Sequence, residues 1–225
     1  MNDFFNNLRT ILYIVSVFIV WIPVVVWLLF VKKSPLYIRL LLIHLLFAGV
    51  VQAIALYLWK HSRNNLWLVH IYAVEELVML SLFYAELFRK KIGKWVFISI
   101  SIVFLICAVL NALYLQPITT HNTYIRSLGS LVIIIWTIIY FYRRLADEEE
   151  YDQAQRSRDM GLTWMNSGFL VYFSFSLLLF TLSNFMSGKE YRVISKDLWA
   201  GHAVATIFLY LTIAIGLWKH RKIST

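Results

Sequence analysis

Seven long apolar runs dominate this 225-residue sequence and constrain its fold more than any other feature. A helix of about 20 apolar residues is long enough to cross a bilayer core of about 30 Å. In lipid, every backbone polar group must be satisfied internally, so apolar runs of this length must form helices there. The sequence therefore predicts one all-α membrane domain, residues 1–225, whose seven transmembrane helices lie at about 10–31, 37–59, 66–87, 95–116, 124–142, 162–184 and 198–218.

Composition supports lipid as the main partner of this chain. Hydrophobic residues make up 60% of the sequence and charged residues only 15%, too much apolar surface for one soluble core to bury. The net charge of +9 comes from short basic clusters between the apolar runs, not from one basic domain. This arrangement argues against nucleic-acid binding. The distribution of the basic residues instead indicates the topology of the chain in the membrane.

The basic residues are unequally shared between the two sides of the membrane. Fourteen lie in the odd-numbered loops and the C-terminal tail, and seven lie in the N-terminal tail and the even-numbered loops. Because cytoplasmic loops carry the excess of Lys and Arg, the N-terminus is expected outside and the C-terminus in the cytoplasm. The single Cys107 and the absence of glycosylation sequons fit a multi-pass protein of the bacterial inner membrane.

A short internal match suggests a duplication. The sequence LWLVH at 66–70, which begins the third span, matches LWAGH at 198–202, which begins the seventh. Two three-helix units joined by the fourth span would then form a parallel repeat. This layout is similar in outline to small sugar transporters built from two three-helix bundles, but the chain lacks their Pro-Gln signature. Microbial rhodopsins share the helix count, yet the seventh span has no lysine for a retinal Schiff base.

The segment NNLWLVHIYAVEE, residues 64–76, resembles a family of small uncharacterised bacterial seven-helix membrane proteins. The resemblance implies a seven-helix fold in the bacterial inner membrane. It implies no particular activity, so candidate functional residues must come from the chain itself.

Glu75 and Glu76 are the residues whose position most needs an explanation, because they are acidic and lie at the middle of the third span. A carboxylate at that depth costs about 2.5–3.5 kcal/mol on insertion scales. Two interpretations remain open: structural carboxyls, at least one of them protonated, or a ligand, ion or proton site. We expect Glu76, supported by Tyr72 at i−4, to be the polar centre of an outward-opening cavity. Glu75 is expected to pack against a neighbouring helix through a protonated carboxyl.

The seventh span carries a polar stripe that is expected to face Glu76. His202, Thr206 and Tyr210 follow one another at i, i+4 and i+8, so they share one helix face. The stripe runs from the outer end of the span towards its middle. His70, in contrast, points almost opposite to the two glutamates on the third span.

Further polar residues of the outer half form a secondary set: Gln52, Asn111, Arg126 and Asn184. For Arg126, snorkelling to lipid headgroups is the favoured expectation. An anionic ligand and a pair with a glutamate are the alternatives. His44 and Asn166 lie in the inner half, where a lone histidine is more often a hydrogen-bonded packing residue than a ligand.

Three functional classes fit this chain in decreasing order: a sensor or partner-regulating module, a transporter of a small molecule or protons, and an intramembrane enzyme. Without a kinase, nucleotide-binding or DNA-binding segment, a sensor would need a membrane or cytoplasmic effector protein. The acidic run at 146–159 is a tether or a docking site for such a partner. Few helix-breaking residues and no clearly broken span argue against transport. No metal motif, no cofactor and no nucleophile–base pair can be identified.

Overall fold

The protein is all-helical in the part of the chain that the computed structural model describes, residues 2–30, 34–89, 92–146, 153–183 and 192–220. Eight α-helices and one π-helical segment follow one another there. They are α1 (Asn2–Phe18), α2 (Trp21–Phe30), α3 (Leu36–Lys60), α4 (Leu66–Leu87), α5 (Lys94–Leu110), the π-helical segment Asn111–Leu115, α6 (Thr123–Ala146), α7 (Gln153–Ser183) and α8 (Arg192–His220).

Seven helical stretches are long and apolar enough to cross a membrane, which confirms the prediction of a seven-helix membrane protein. The third span, Leu66–Leu87, agrees with the predicted one at both ends. The other predicted spans differ at their ends by a few residues, because helices continue past the apolar core into polar sequence. The stretches are Asn7–Phe30, Leu36–Lys60, Leu66–Leu87, Lys94–Leu115, Thr123–Ala146, Arg158–Ser183 and Lys196–His220.

The first span contains an interruption that was not predicted, since the sequence showed no clearly broken span. Helix α1 ends at Phe18 and α2 begins at Trp21, with a turn between them. Pro23 explains the interruption, because proline has no backbone N–H and its ring clashes with the carbonyl four residues earlier. In the first turn of a new helix the missing N–H costs nothing, so α2 can begin just before Pro23.

The fourth span also loses its regular geometry at one end. After α5 the chain widens into the π-helical segment Asn111–Leu115, where the Gln116 N–H donates to the Asn111 carbonyl at 2.7 Å. Pro117 follows immediately and cannot continue a helix. The connection to α6 therefore turns sharply at this end of the bundle.

The helices form a closed ring that includes α4. Helix α2 packs against α3 and α8, while α7 packs against α6 and α8, so the two ends of the chain meet. Helix α4 contacts α3, α5 and α6, which gives it neighbours on several sides. The midspan glutamates on α4 are therefore directed at other helices and not at lipid.

An uncharged network near the end of the bundle where α4 finishes holds three helices together. The buried Tyr84 hydroxyl on α4 donates to the Asn166 side-chain carbonyl at 2.7 Å and lies 2.9 Å from the Thr137 hydroxyl. Asn166 also donates to the carbonyl of Leu162 in its own helix. Asn166 is thus a packing residue in a satisfied network.

Candidate functional site

A cavity of about 930 Å³ lies at the N-terminal end of the bundle, meaning the end where α1 begins. Its mouth is bordered by Arg9 of α1, Trp59 of α3, His121 before α6 and Lys196 of α8. Its deeper wall includes Arg126. Helices α1, α3, α4, α6, α7 and α8 all contribute to the lining, so the space lies among six of the eight α-helices.

A buried ion pair lies at the base of this cavity, and only its cation, Arg126, is part of the lining. The Arg126 guanidinium donates from Nη1 to the Glu76 carboxylate at 2.5 Å, and the two side chains are only 5% and 6% exposed. Glu76 lies ten residues into α4, about 15 Å along its axis at 1.5 Å per residue. Arg126 begins near the end of the bundle in the first turn of α6 and reaches inward. The pair offsets the cost of placing a carboxylate at that depth.

The favoured expectation for Arg126 was therefore wrong. Its side chain does not extend outward to lipid headgroups but takes the alternative of pairing with a glutamate. Snorkelling is favoured only when no counter-charge lies deeper in the protein, and here Glu76 supplies one. Sequence alone could not show that α4 and α6 place these two residues opposite each other.

Aromatic rings surround the Arg126 guanidinium. Its carbon lies 5.3 Å from the ring centre of Tyr72 and 5.0 Å from that of Phe180, both within the range of cation–π attraction. The Nη2 atom donates to the Tyr172 hydroxyl at 3.3 Å. The Nε–H has no hydrogen-bond partner among the residues that the structure describes. Arg126 is thus held firmly while one donor stays unused.

The polar stripe of α8 forms no described hydrogen bond to Glu76, but Tyr210, its last residue, lies within electrostatic range of that carboxylate. His202 Nε2 lies 3.1 Å from the Ser176 hydroxyl on α7, and Thr206 donates to the His202 carbonyl in its own helix. His202 and Thr206 line the cavity, whereas Glu76 lies behind Arg126 and does not. The cavity therefore presents the cation of the ion pair and not the carboxylate.

Tyr210, the third residue of the stripe, connects to Gln52 on α3. The Gln52 amide lies 3.0 Å from the Tyr210 hydroxyl. With its oxygen turned to that hydroxyl, its nitrogen donates to the Val17 carbonyl at 2.9 Å. Val17 is in the last turn of α1, where carbonyls lack helical partners because the first span is interrupted. Gln52 thus stabilises the break beside the cavity.

The remaining predicted residues separate from this site. His70 lies 3.1 Å from the Thr120 carbonyl and does not line the cavity. Asn111 donates to the Asn122 side chain at 3.1 Å, so it supports the π-helical segment and the connection to α6. Asn184 lies outside the residues that the structure describes.

Glu75 forms a separate pair on another face of α4. Its carboxylate oxygens lie 3.0 and 3.3 Å from Nδ1 of His44 on α3. The side chains are 12% and 6% exposed. Glu75 does pack against a neighbouring helix, but its partner is a histidine that the sequence placed in an unrelated inner contact.

Several residues of the site were not predicted. Tyr172, Ser176 and Phe180 occur at i, i+4 and i+8 on α7, the same spacing that identified the α8 stripe. That spacing was a usable signal. His121 and Asn122 belong to a short connection, and no periodicity could have placed them at the cavity.

The fold and the cavity define the class of this protein: a helical membrane protein with seven candidate spans and a deep, mostly apolar cavity at one end. The described residues contain no group of three His, Cys, Asp or Glu side chains that could hold a metal ion. Comparison with protein-family models, with curated proteins and with solved structures gives no match.

Proposed function

We propose that this protein is a membrane sensor whose cavity binds a small amphipathic anion and which regulates a partner protein. One observation carries the proposal. The charged side chains in the described lining are all cationic, namely Arg9, Arg126 and Lys196. The carboxylates that pair with two of them, Asp197 and Glu76, are not part of the lining. The electrostatic field inside the cavity thus favours a negative group.

The rest of the lining supports an apolar or aromatic ligand body. Aromatic side chains surround the space from five helices, and aliphatic residues of α1 and α3 fill the gaps between them. An apolar pocket with a few convergent polar groups is the usual form of a small-molecule site. The aromatic members are Tyr13, Trp59, Tyr72, Tyr172, Phe180 and Trp199.

The orientation follows from the charge bias of the loops. With the N-terminus outside, the cavity opens to the exterior of a bacterial inner membrane. A periplasmic reporter fused to the C-terminus is then inactive, whereas a cytoplasmic reporter is active. The opposite pattern would place the mouth of the cavity in the cytoplasm and end the proposal of an external ligand.

The parallel repeat remains part of the proposed architecture. It would place His70 and His202 at equal depth and relate them by a pseudo-twofold axis along the membrane normal. Spin labels at the two positions would test this through their depths in the bilayer. Clearly different depths would remove the repeat without affecting the ligand site.

Ligand binding can be tested with three probes of similar shape and different charge: naphthylacetate, its neutral amide, and naphthylethylamine. We expect naphthylacetate alone to raise the unfolding temperature of the purified protein, because a ligand that binds only the folded state stabilises it. The Arg126→Gln/Glu76→Gln double variant should lose the effect, since it removes the cation without leaving an unpaired buried charge.

Arg63→Gln is the matched control, because Arg63 is an exposed cation at the same end that does not line the cavity. This variant should keep the response to naphthylacetate. Equal stabilisation by the acid and the amine, or an unchanged response in the double variant, would contradict an anion site.

Transport is the second candidate, and the interrupted first span favours it. Transporters often bind substrate where a helix is broken, and Ser16 and Val17 at the end of α1 line the cavity together with Gln52. Uptake of radiolabelled naphthylacetate into proteoliposomes separates the two functions. Binding without uptake supports a sensor, whereas accumulation that the double variant abolishes supports a transporter.

A further inference from the structure

Two adjacent carboxyl groups on α4 have partners of different chemical kinds. Successive residues on a helix are about 100° apart, so Glu75 and Glu76 project towards different neighbours. Glu76 meets Arg126 of α6, and Glu75 meets His44 of α3. Both pairs are nearly closed to solvent, but they do not share a partner.

The two pairs differ in what a proton can do there. Arginine keeps its proton in proteins, so Arg126 holds Glu76 as a carboxylate. Both members of the other pair can gain or lose a proton. Imidazole with carboxylic acid and imidazolium with carboxylate are each neutral overall, while one proton fewer gives a net charge of −1. A net charge is costly at this depth, which favours uptake of a proton from water by the pair.

From this geometry we infer that His44 and Glu75 form a proton-binding site inside the membrane domain, separate from the cavity. Binding forms one O–H bond on the Glu75 carboxyl, because two neutral partners are less costly at this depth than an ion pair, and the proton comes from bulk water. His44 Nδ1 faces both carboxylate oxygens, so the same hydrogen can be shared along one short contact. The inference does not require the proposed ligand.

The groups around the pair are identifiable on each neighbouring helix. On α4, Tyr72 stacks on the His44 ring at 5.9 Å, and Glu76 is the adjacent carboxylate. Helix α6 contributes Arg126, and α8 contributes Tyr210, which interacts with Tyr72. Helix α2 has no titratable side chain. On α5 the titratable residues are Lys94 and Cys107, neither with a described contact to the pair.

Tyr72 links this proton site to the cavity. One ring contacts both His44 and the Arg126 guanidinium, and Tyr72 also lines the cavity. A change in the charge of the His44–Glu75 pair therefore acts beside a ring that helps to hold Arg126. Proton binding and the state of the cavity are connected through a single side chain.

Infrared difference spectroscopy on the purified protein in lipid nanodiscs tests the site without any ligand. Spectra recorded between about pH 5 and pH 8, the range in which histidine commonly titrates, should show a pH-dependent C=O band of a buried carboxylic acid. Glu75→Gln should abolish the band. The Arg126→Gln/Glu76→Gln double variant should keep it, because Glu76 contributes no proton.

His44→Gln provides a second readout if Glu75→Gln does not fold. It keeps a hydrogen-bonding partner for Glu75 but removes the titratable ring, so the band should remain while its pH midpoint shifts. An unchanged midpoint in His44→Gln overturns the proposal. A band that persists in Glu75→Gln, or no pH-dependent band in the parent protein, overturns it as well.

Discussion

On each of two faces of α4, near its midpoint, a buried carboxyl group is compensated by a partner from another helix, and the two partners differ in chemistry. On one face Glu76 meets a permanent cation, Arg126, at 2.5 Å. On the other face Glu75 meets an ionisable ring, His44, at 3.0 Å. Both carboxyls are one residue apart in the sequence and deep in the same span. At the same depth, therefore, two buried acids are compensated by partners of different chemistry, depending on which neighbouring helix each one meets.

The partners differ from those that the sequence suggested for the two glutamates. Glu76 was expected to face the α8 stripe, and Glu75 to pack against a neighbouring helix through a protonated carboxyl. The structure pairs Glu76 with a side chain that stays charged and Glu75 with one that can exchange a proton. The difference between the two pairs can be tested by replacing Arg126 and His44 in turn.

Loss of Arg126 should have the largest effect. Arg126→Gln leaves Glu76 without its counter-charge in a closed site, and breaking a buried pair from one side costs about 3–5 kcal/mol. We expect the free energy of unfolding in lipid to fall by about that amount. Chemical or thermal unfolding of the purified variant measures it.

The double variant Arg126→Gln/Glu76→Gln is the control for this effect. Two amides can still hydrogen-bond and no charge remains, so most of the lost stability should return. A single variant as stable as the parent would mean that Glu76 is neutral in the protein, and the contrast between the two faces would disappear.

Loss of His44 should cost less. In His44→Leu, the Glu75 carboxyl can bind a proton and become neutral, so only its hydrogen bond is lost. That loss corresponds to about 1–3 kcal/mol of unfolding free energy. His61→Leu, at the exposed end of α3, is the control and should change little. A cost for His44→Leu equal to that of Arg126→Gln would show that both carboxyls are fixed charges.

Sequence reasoning succeeded where the information is local. The spans follow from the length and hydrophobicity of each run, and Leu66–Leu87 was predicted to the residue. The break before Trp21 was not predicted from Pro23. The sequence does not show whether a proline lies inside a continuous helix or in the first turn of a new one. The interruption depends on where the new helix begins.

The pairings could not be predicted because they depend on which helices are neighbours. Arg126 and Glu76 are 50 residues apart, and His44 and Glu75 are 31 apart, with nothing in either local sequence that indicates the partner. Helical projection correctly separated His70 from the glutamates, since that comparison stays within one helix. It could not show which residue of the α8 stripe lies near Glu76, because that depends on the position of α8 relative to α4.

The smallest effect should come from Tyr72, the side chain shared by the two faces. Tyr72→Phe keeps the ring that contacts both Arg126 and His44, so the free energy of unfolding should change by less than about 1 kcal/mol. Tyr72→Leu removes the ring and the cation–π contact, which is worth about 0.5–2 kcal/mol. The difference in unfolding free energy between the Phe and Leu variants therefore measures the contribution of the ring.

A thermodynamic cycle that combines Tyr72→Leu with His44→Leu should give a non-additive change in unfolding free energy, because both substitutions remove the same stacked contact. Additive effects would mean that Tyr72 does not connect the two faces and that the proton pair and the cavity act independently.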